Sequence, residues 1–191
     1  MELYHYGVKG QKWGVRRYQN KDGSLTDAGR SHYGKTVFIS GSSKTQFKDN
    51  PYYRKRLNKE LRKEIDDIIK KNYNVVVGDA PGIDRQVQDY LNKKRYRNVE
   101  IYGPGTQVRY SANKKWKTNP INDPDHEPMS PEWLALKDIK MSQIADEGLA
   151  VILDEGATAT RNNIKRMRES GKKVKVYELN KNGKKHDKWV E

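Results

Sequence analysis

The chain has 191 residues, a mass of 22.2 kDa and a formal charge of +14, from 39 Lys and Arg against 25 Asp and Glu. This length fits one domain with a short appendage and leaves no room for a second full domain. The sequence contains no cysteine, which excludes disulfides, thiolate metal sites and cysteine nucleophiles.

Charge and hydropathy narrow the class of protein further. The basic excess favours polyanions or anionic small molecules as partners, with a plain basic surface as the alternative. Hydrophobic residues make up 34% of the chain, so we expect a compact core and much solvated surface. No segment reaches the roughly 18 apolar residues that cross a bilayer, and no apolar signal core starts the chain. We therefore expect a protein that folds in a cytoplasm, with no membrane partner, no metal site and no cofactor.

Residues 1–35 predict an irregular N-terminal extension. They are rich in glycine, aromatic and basic residues and show neither the period of 2 nor that of 3.6. Trp13, Arg16, Arg17 and Tyr18 interleave aromatic and basic side chains, which could stack on and pair with nucleic acid or dock on a protein. Nucleic acid and a protein surface are therefore both candidate partners of this extension.

Residues 10–34 also carry a resemblance to a known module. They are similar to the pattern GQKWGVRRYQNxDGSLTxAGxxRYG, which recurs at the ends of phage structural and accessory proteins from Gram-positive hosts. The resemblance implies a phage protein, and it implies a virion component as the partner of this module. The expected location is the host cytoplasm, with association to the virion as the alternative.

Beyond residue 35, short apolar runs alternate with helical patterns. The predicted strands are residues 36–40, 74–79, 98–103, 148–153 and 173–179. The predicted helices are residues 54–72, 82–95, 130–145 and 160–170, with apolar side chains three and four apart. This order predicts an α/β fold over residues 36–191, a Rossmann-like, doubly wound and mainly parallel sheet of about five strands with helices on both faces.

Residues 104–129 interrupt the alternation. Four prolines, many polar residues and no periodicity indicate an insertion that follows the carboxyl end of a strand. One interpretation is a lid over a ligand, with Tyr110, Trp116 and His126 near a base. The other is a plain surface insertion.

The candidate site consists of three loops at the carboxyl ends of predicted strands, Ser40–Ser43, Asp79–Asp84 and Gly156–Asn163. Ligands of such sheets bind where strand order reverses. We expect the first and third loops to hold phosphate, and Asp79 and Asp84 to hold ribose hydroxyls. The alternative is that small residues only make tight turns and that Asp84 caps a helix. The candidate ligand-binding residues are Ser40, Gly41, Ser42, Ser43, Gly78, Asp79, Gly82, Asp84, Arg85, Gly156, Thr158, Thr160 and Asn163.

The patterns VFISGS, VVVGDAPGIDRQVQDYL, NVEIYG and TATRNNI carry a second resemblance. Together they resemble the SLOG superfamily, the Rossmann-like relatives of the LOG nucleotide phosphoribohydrolases. The resemblance implies a partner that is a nucleotide or a nucleotide-derived small molecule. Because such domains often pair through helices, it also implies a homodimer or a higher homo-oligomer.

The sequence departs from the LOG pattern where catalysis would occur. Ala159 and Asn163 stand at the motif glycine and glutamate, and Lys137-Asp138 replaces an Arg-Lys pair. An amide cannot act as a general base, so LOG-type cleavage loses its support while nucleotide binding does not. By analogy with nucleoside deoxyribosyltransferases, Asp79, Asp84 and Asp138 are the candidate catalytic carboxylates.

The prediction for function is therefore a phage-encoded protein that binds a nucleotide or a nucleotide-derived second messenger and counteracts host immune signalling. Two alternatives stay open at this point. The first is an N-glycosidase or ribosyltransferase-like enzyme that acts on a nucleotide. The second is a virion accessory protein that contacts DNA through its basic surface, which would bind DNA with a steep dependence on salt.

Overall fold

The computed structural model describes residues 18–20, 24–43, 59–153 and 156–178. The strands in this part of the chain are β1 (Thr36–Gly41), β2 (Asn74–Gly78), β3 (Val99–Pro104), β4 (Lys117–Ile121), β5 (Glu147–Ile152) and β6 (Lys173–Glu178). The helices are α1 (Asp27–Tyr33), α2 (Lys59–Lys70), α3 (Ile83–Lys93), α4 (Pro131–Ile144) and α5 (Thr158–Glu169). The strands form one sheet in the order β4-β3-β2-β1-β5-β6, and every neighbouring pair is parallel.

The predicted Rossmann-like α/β fold is confirmed, with one strand more than expected. The additional strand is β4, which lies inside the proline-rich insertion and pairs with β3 at the edge of the sheet. Pro120 is tolerated there because an edge strand has one side without a ladder partner, where a missing N–H costs little. Lys117 and Asn119 both reach Glu100 Oε2 on β3, at 3.0 and 2.9 Å, and fix the register. The predicted edge at Trp189-Val190 lies outside the described residues.

The core has two layers, one on each face of the sheet. On one face, Ile39, Val77 and Ile101 pack against α2 and α3. On the other face, Phe38 and Val76 pack against α4 and α5. Because the central strands are buried on both faces, their sequences are continuous apolar runs rather than alternating ones.

Residues 24–33 of the N-terminal extension pack at the amino edge of the sheet. The Thr26 hydroxyl caps α1 by accepting a hydrogen bond of 3.0 Å from the Gly29 N–H. Arg30 pairs with Asp146 at 3.1 Å, and the second Asp146 oxygen accepts from the Thr36 N–H at 2.8 Å. This part of the extension therefore lies at the opposite edge from the carboxyl ends of the strands.

The strand order places the reversal of the winding between β1 and β5. From β1 the chain adds β2, β3 and β4 on one side, and it then returns to the other side of β1 to add β5 and β6. A crevice forms at such a reversal because the connections beyond the two strands lead to opposite faces of the sheet. Ser42 and Ser43, after β1, and Leu153, after β5, lie at this reversal.

Candidate functional site

The loop after β1 is tied to the end of β5. The Ser42 N–H donates to the Val151 carbonyl at 3.0 Å, and the Ser42 hydroxyl accepts from the Leu153 N–H at 3.0 Å. Ser40 and Ser42 are buried, whereas Ser43 is exposed. The predicted first loop thus lies at the strand-order reversal, and Ser43 is its exposed hydroxyl.

The turn from β2 into α3 packs closely against the same loop. The Ile83 N–H donates to the Ser42 carbonyl at 3.1 Å, and the Ala80 N–H donates to Asp84 Oδ2 at 3.3 Å. These two N–H groups are therefore used within the protein. The predicted residues Gly78 and Gly82 lie in this turn, and their role in the structure is close packing.

Gly82 is required by both conformation and space. Its φ is +87°, and a Cβ there would lie 2.4 Å from the Ser42 carbonyl oxygen. We expect Gly82→Ala to lower the free energy of unfolding by about 1–3 kcal/mol, measured by urea denaturation. Gly171 is the matched control, because its φ is +71° but no atom lies within 4 Å of the added Cβ. Equal losses at Gly82 and Gly171 would show that the contact with Ser42 contributes nothing.

Asp79 is held by Arg109 in the proline-rich insertion. The Asp79 side chain is fully buried, and its Oδ2 accepts from the Arg109 backbone N–H at 2.8 Å and from Arg109 Nε at 3.0 Å. Arg109 Nη2 forms an ion pair with Asp79 Oδ1. This hydrogen bonding raises the pKa of Arg109. The carboxylate that we expected to bind ribose is instead engaged by a guanidinium.

Asp84 and Asp138 surround the buried ammonium of Lys137. Lys137 forms an ion pair with Asp138, and all three side chains are buried. A Cβ at Gly78 would lie 2.3 Å from Asp84 Oδ2 and 3.0 Å from Lys137 Nζ, so both groups pack directly on the backbone of β2. The sequence could not predict this arrangement, because Lys137 lies in α4 and Gly78 ends β2, far apart in the chain.

Burial sets the protonation of this cluster. It raises the pKa of Asp84 from 3.8 to about 7, against the opposing effect of the Lys137 ammonium. Burial also lowers the pKa of Lys137, but the Asp138 and Asp84 carboxylates outweigh it and leave that pKa above its ordinary value. Near neutral pH, Lys137 is therefore charged, and Asp84 takes up a proton at a far higher pH than an ordinary carboxyl group does.

Hydrogen bonds connect the first half of the proline-rich insertion to α3 and to the residues that follow this helix. The Ala112 N–H donates to Gln88 Oε1 at 3.1 Å, and Trp116 Nε1 donates to the Tyr96 carbonyl at 2.9 Å. Tyr110 donates its hydroxyl to Asp89, and His126 bonds to Asp123 at 3.0 Å. Trp116 is buried in the core, so it is not placed to contact a base.

The third predicted loop leads into α5 at the reversal. Gly156 and Thr158 are exposed, and Thr160 and Asn163 are buried. Ala157 is the N-cap residue of α5 and has no side-chain cap, so the first turn of the helix keeps the positive end of its dipole uncapped by a side chain. Asn163, at the position of the LOG glutamate, accepts from Arg166 Nη1 at 2.9 Å.

The structure brings together part of what the sequence predicted. Ser43, Gly156 and Thr158 are exposed beside the reversal, whereas Asp79 and Asp84 lie in buried pairs. Sequence reasoning missed Arg109, whose partner Asp79 is 30 residues away. Among the side chains that the structure describes, no group of three His, Asp or Glu could hold a metal ion.

Comparison with known proteins adds one match, at the N-terminus. Residues 1–20 match the model of a family of unknown function, DUF7211, which is 20 of the 191 residues. This segment overlaps the start of the module predicted at residues 10–34, and residues 1–17 lie outside the described part of the chain. The chain matched no curated protein and no solved structure. Separately, no helix within the described ranges is both long and apolar enough to cross a membrane.

Proposed function

We propose that the protein binds a nucleotide or a nucleotide-derived small molecule in the crevice between the loops after β1 and β5. The observation that carries this proposal is the reversal of strand order between β1 and β5, which lies beside the uncapped start of α5. In open parallel sheets the ligand crevice lies outside the carboxyl ends of the strands at this reversal. The resemblance to the SLOG superfamily is a second, independent support.

The chemistry of the crevice suits a phosphate group. The dipole of α5 favours negative charge near Thr158 and Ala159, both of which are exposed. Ser43 and Gly156 are also exposed and small, so a phosphate can approach the backbone closely. At the start of α3 the Ile83 N–H is bonded to Ser42, and at the start of α5 the Thr158 N–H is bonded to the Gly156 carbonyl at 2.8 Å. The attraction at α5 is therefore that of the helix dipole rather than of the Thr158 N–H.

The states of the three candidate carboxylates support binding rather than cleavage. Asp79 and Asp138 form ion pairs with Arg109 and Lys137, and Asp84 is buried. A nucleophile or general base must reach the reacting atom, and none of these carboxylates lies on the exposed surface of the crevice. The resemblance of residues 10–34 to a phage module extends the proposal to sequestration of a host immune signal.

An acidic side chain at the start of α5 is expected to weaken phosphate binding without harming the fold. Ala159→Asp places a carboxylate at the second position of α5, where it stabilises the helix by about 0.3–1 kcal/mol but repels an anion. Ala28→Asp is the matched control, because Ala28 is exposed at the second position of α1, at the amino edge. We expect Ala159→Asp to weaken nucleotide binding at least tenfold and Ala28→Asp to leave it unchanged, measured by calorimetric titration.

The proposal itself is tested by titrating the full chain with a panel of nucleotides and then analysing each mixture by chromatography. Stoichiometric binding with intact ligand recovered is the expected result. Release of free base would favour the glycosidase alternative. Affinity for DNA alone, falling steeply with salt, would favour the DNA-contacting accessory protein. If no nucleotide binds at millimolar concentration, the proposal is wrong.

A further inference from the structure

Two arginines stand at the carboxyl edge of the sheet on the β2 side of the proposed crevice. Arg109 is held by Asp79, whose buried carboxylate accepts hydrogen bonds from the Arg109 backbone N–H and from its guanidinium. A guanidinium has five N–H donors, and Asp79 engages two of the Arg109 nitrogens. The Arg109 side chain keeps 37% of its surface exposed, so it also faces solvent.

Arg85 is held by an aromatic ring rather than by a carboxylate. Its guanidinium carbon lies 4.2 Å from the centre of the Tyr110 ring, and the Tyr110 hydroxyl donates to Asp89 on the same helix as Arg85. A guanidinium that lies over a ring keeps its N–H donors at its own edge, where they can still bind an anion. Arg85 is exposed on the first turn of α3.

The segment that carries Arg109 and Tyr110 is itself fixed in place. Asn92 Nδ2 donates to the Ala112 carbonyl at 2.9 Å, and Asn113 Nδ2 donates to Asn92 Oδ1 at 3.1 Å. Together with the bond from Ala112 to Gln88, these contacts hold the segment against α3 over its length. Long cationic side chains lose rotamer entropy when they bind an anion, and this anchoring lowers that cost.

The position of the two arginines determines how far apart two phosphates of one ligand would lie. Asp79 follows the last residue of β2, which lies two strand spacings, roughly 10 Å, from β5. Arg109 is bonded to Asp79 after β2, whereas α5 follows β5, so the two anion-attracting groups lie at different positions along the carboxyl edge of the sheet. We infer that Arg85 and Arg109 bind a second phosphate, so that the ligand is a nucleotide with phosphates at two separated positions. This inference rests on the proposed function of the crevice.

The test compares ligands with one phosphate and with several. The full chain and its Arg85→Gln variant are titrated by calorimetry with 5′-phosphorylated oligonucleotides of one, two, three and twelve residues, for each of the four bases. Arg97→Gln is the matched control, because Arg97 is an exposed arginine before the amino end of β3. We expect the dinucleotide or trinucleotide to bind the parent roughly tenfold tighter than the mononucleotide, and Arg85→Gln to remove that advantage only.

The outcomes separate the two proposals. If the mononucleotide binds but longer ligands gain nothing, or if Arg85→Gln weakens all ligands equally, the second phosphate site is wrong and the crevice stands. If affinity keeps rising to twelve residues and falls steeply with salt, the arginines belong to a nucleic-acid groove and the inference is overturned. If no ligand binds the parent, both proposals are wrong.

Discussion

Replacing Lys137 with methionine is expected to lower the free energy of unfolding by about 3–5 kcal/mol at pH 7.5. Methionine fills a similar volume, but it leaves Asp138 without its ion-pair partner in a buried position. Asp84 also loses the nearby ammonium that opposes its desolvation. Urea denaturation at pH 7.5 and at pH 5 measures the effect, and the loss should shrink at pH 5 because Asp84, whose pKa burial raises to about 7, then holds a proton.

Removing the partner carboxylate as well should recover most of this loss. In the double variant Lys137→Met with Asp138→Asn, no unpaired ion remains at the pair, and replacing both members of a buried pair is often close to neutral. Lys165→Met is the control for the loss of a lysine, because 74% of that side chain is exposed and its effect should stay within about 0.5 kcal/mol. A loss below about 1 kcal/mol in Lys137→Met would mean that the pair is not buried as described.

The buried cluster of Lys137, Asp138 and Asp84 could not be predicted from the sequence. From the sequence, Lys137 and Asp138 stand where the LOG pattern has an Arg-Lys pair. Asp138 is also one of the candidate catalytic carboxylates. In α4 these two residues are buried, together with Ser142. Periodicity places charged residues on the solvent face by default, so a helix with a charged inner face gives no signal in the sequence.

The fold was predictable where the apolar runs were long and continuous. The strands at Val75, Ile101 and Leu149 are buried on both faces. A continuous apolar run is the sequence signal of a strand buried in this way. β4 was missed because its sequence, KTNPI, has partly exposed positions and a proline, and a strand of that kind forms only because β3 offers a free edge. Its existence depends on tertiary pairing rather than on local propensity.

The location of the candidate site in the fold was predictable from the sequence, but the contacts of its side chains were not. The chain order of strands and helices indicated which loops share the carboxyl edge, and Ser42 does meet the end of β5 there through Val151 and Leu153. The partner of Asp79 was not predictable, because Arg109 lies in a segment without periodicity. A carboxylate after a buried strand is compatible with a ribose contact and with an ion pair, and only the fold decides between them.

Asp84→Asn is expected to stabilise the protein above pH 7, which is unusual for the loss of a buried charge. In the folded protein the pKa of Asp84 is about 7, whereas 3.8 is its ordinary value. Between these two values the folded state holds a proton that the unfolded chain has released, so raising the pH over this interval favours unfolding. Below about pH 4 both states are protonated and the carboxyl group makes no such contribution.

The asparagine variant cannot ionise, so its stability should lack this fall with pH. At pH 8 we expect it to exceed the parent by up to about 4 kcal/mol, since each pKa unit corresponds to roughly 1.4 kcal/mol, and at pH 4 the two should be nearly equal. Asp125→Asn is the matched control, because Asp125 is exposed. Denaturation from pH 4 to pH 8 measures all three proteins. If Asp84→Asn is less stable than the parent at every pH, the carboxylate is ionised in the fold and its attraction to Lys137 outweighs its burial.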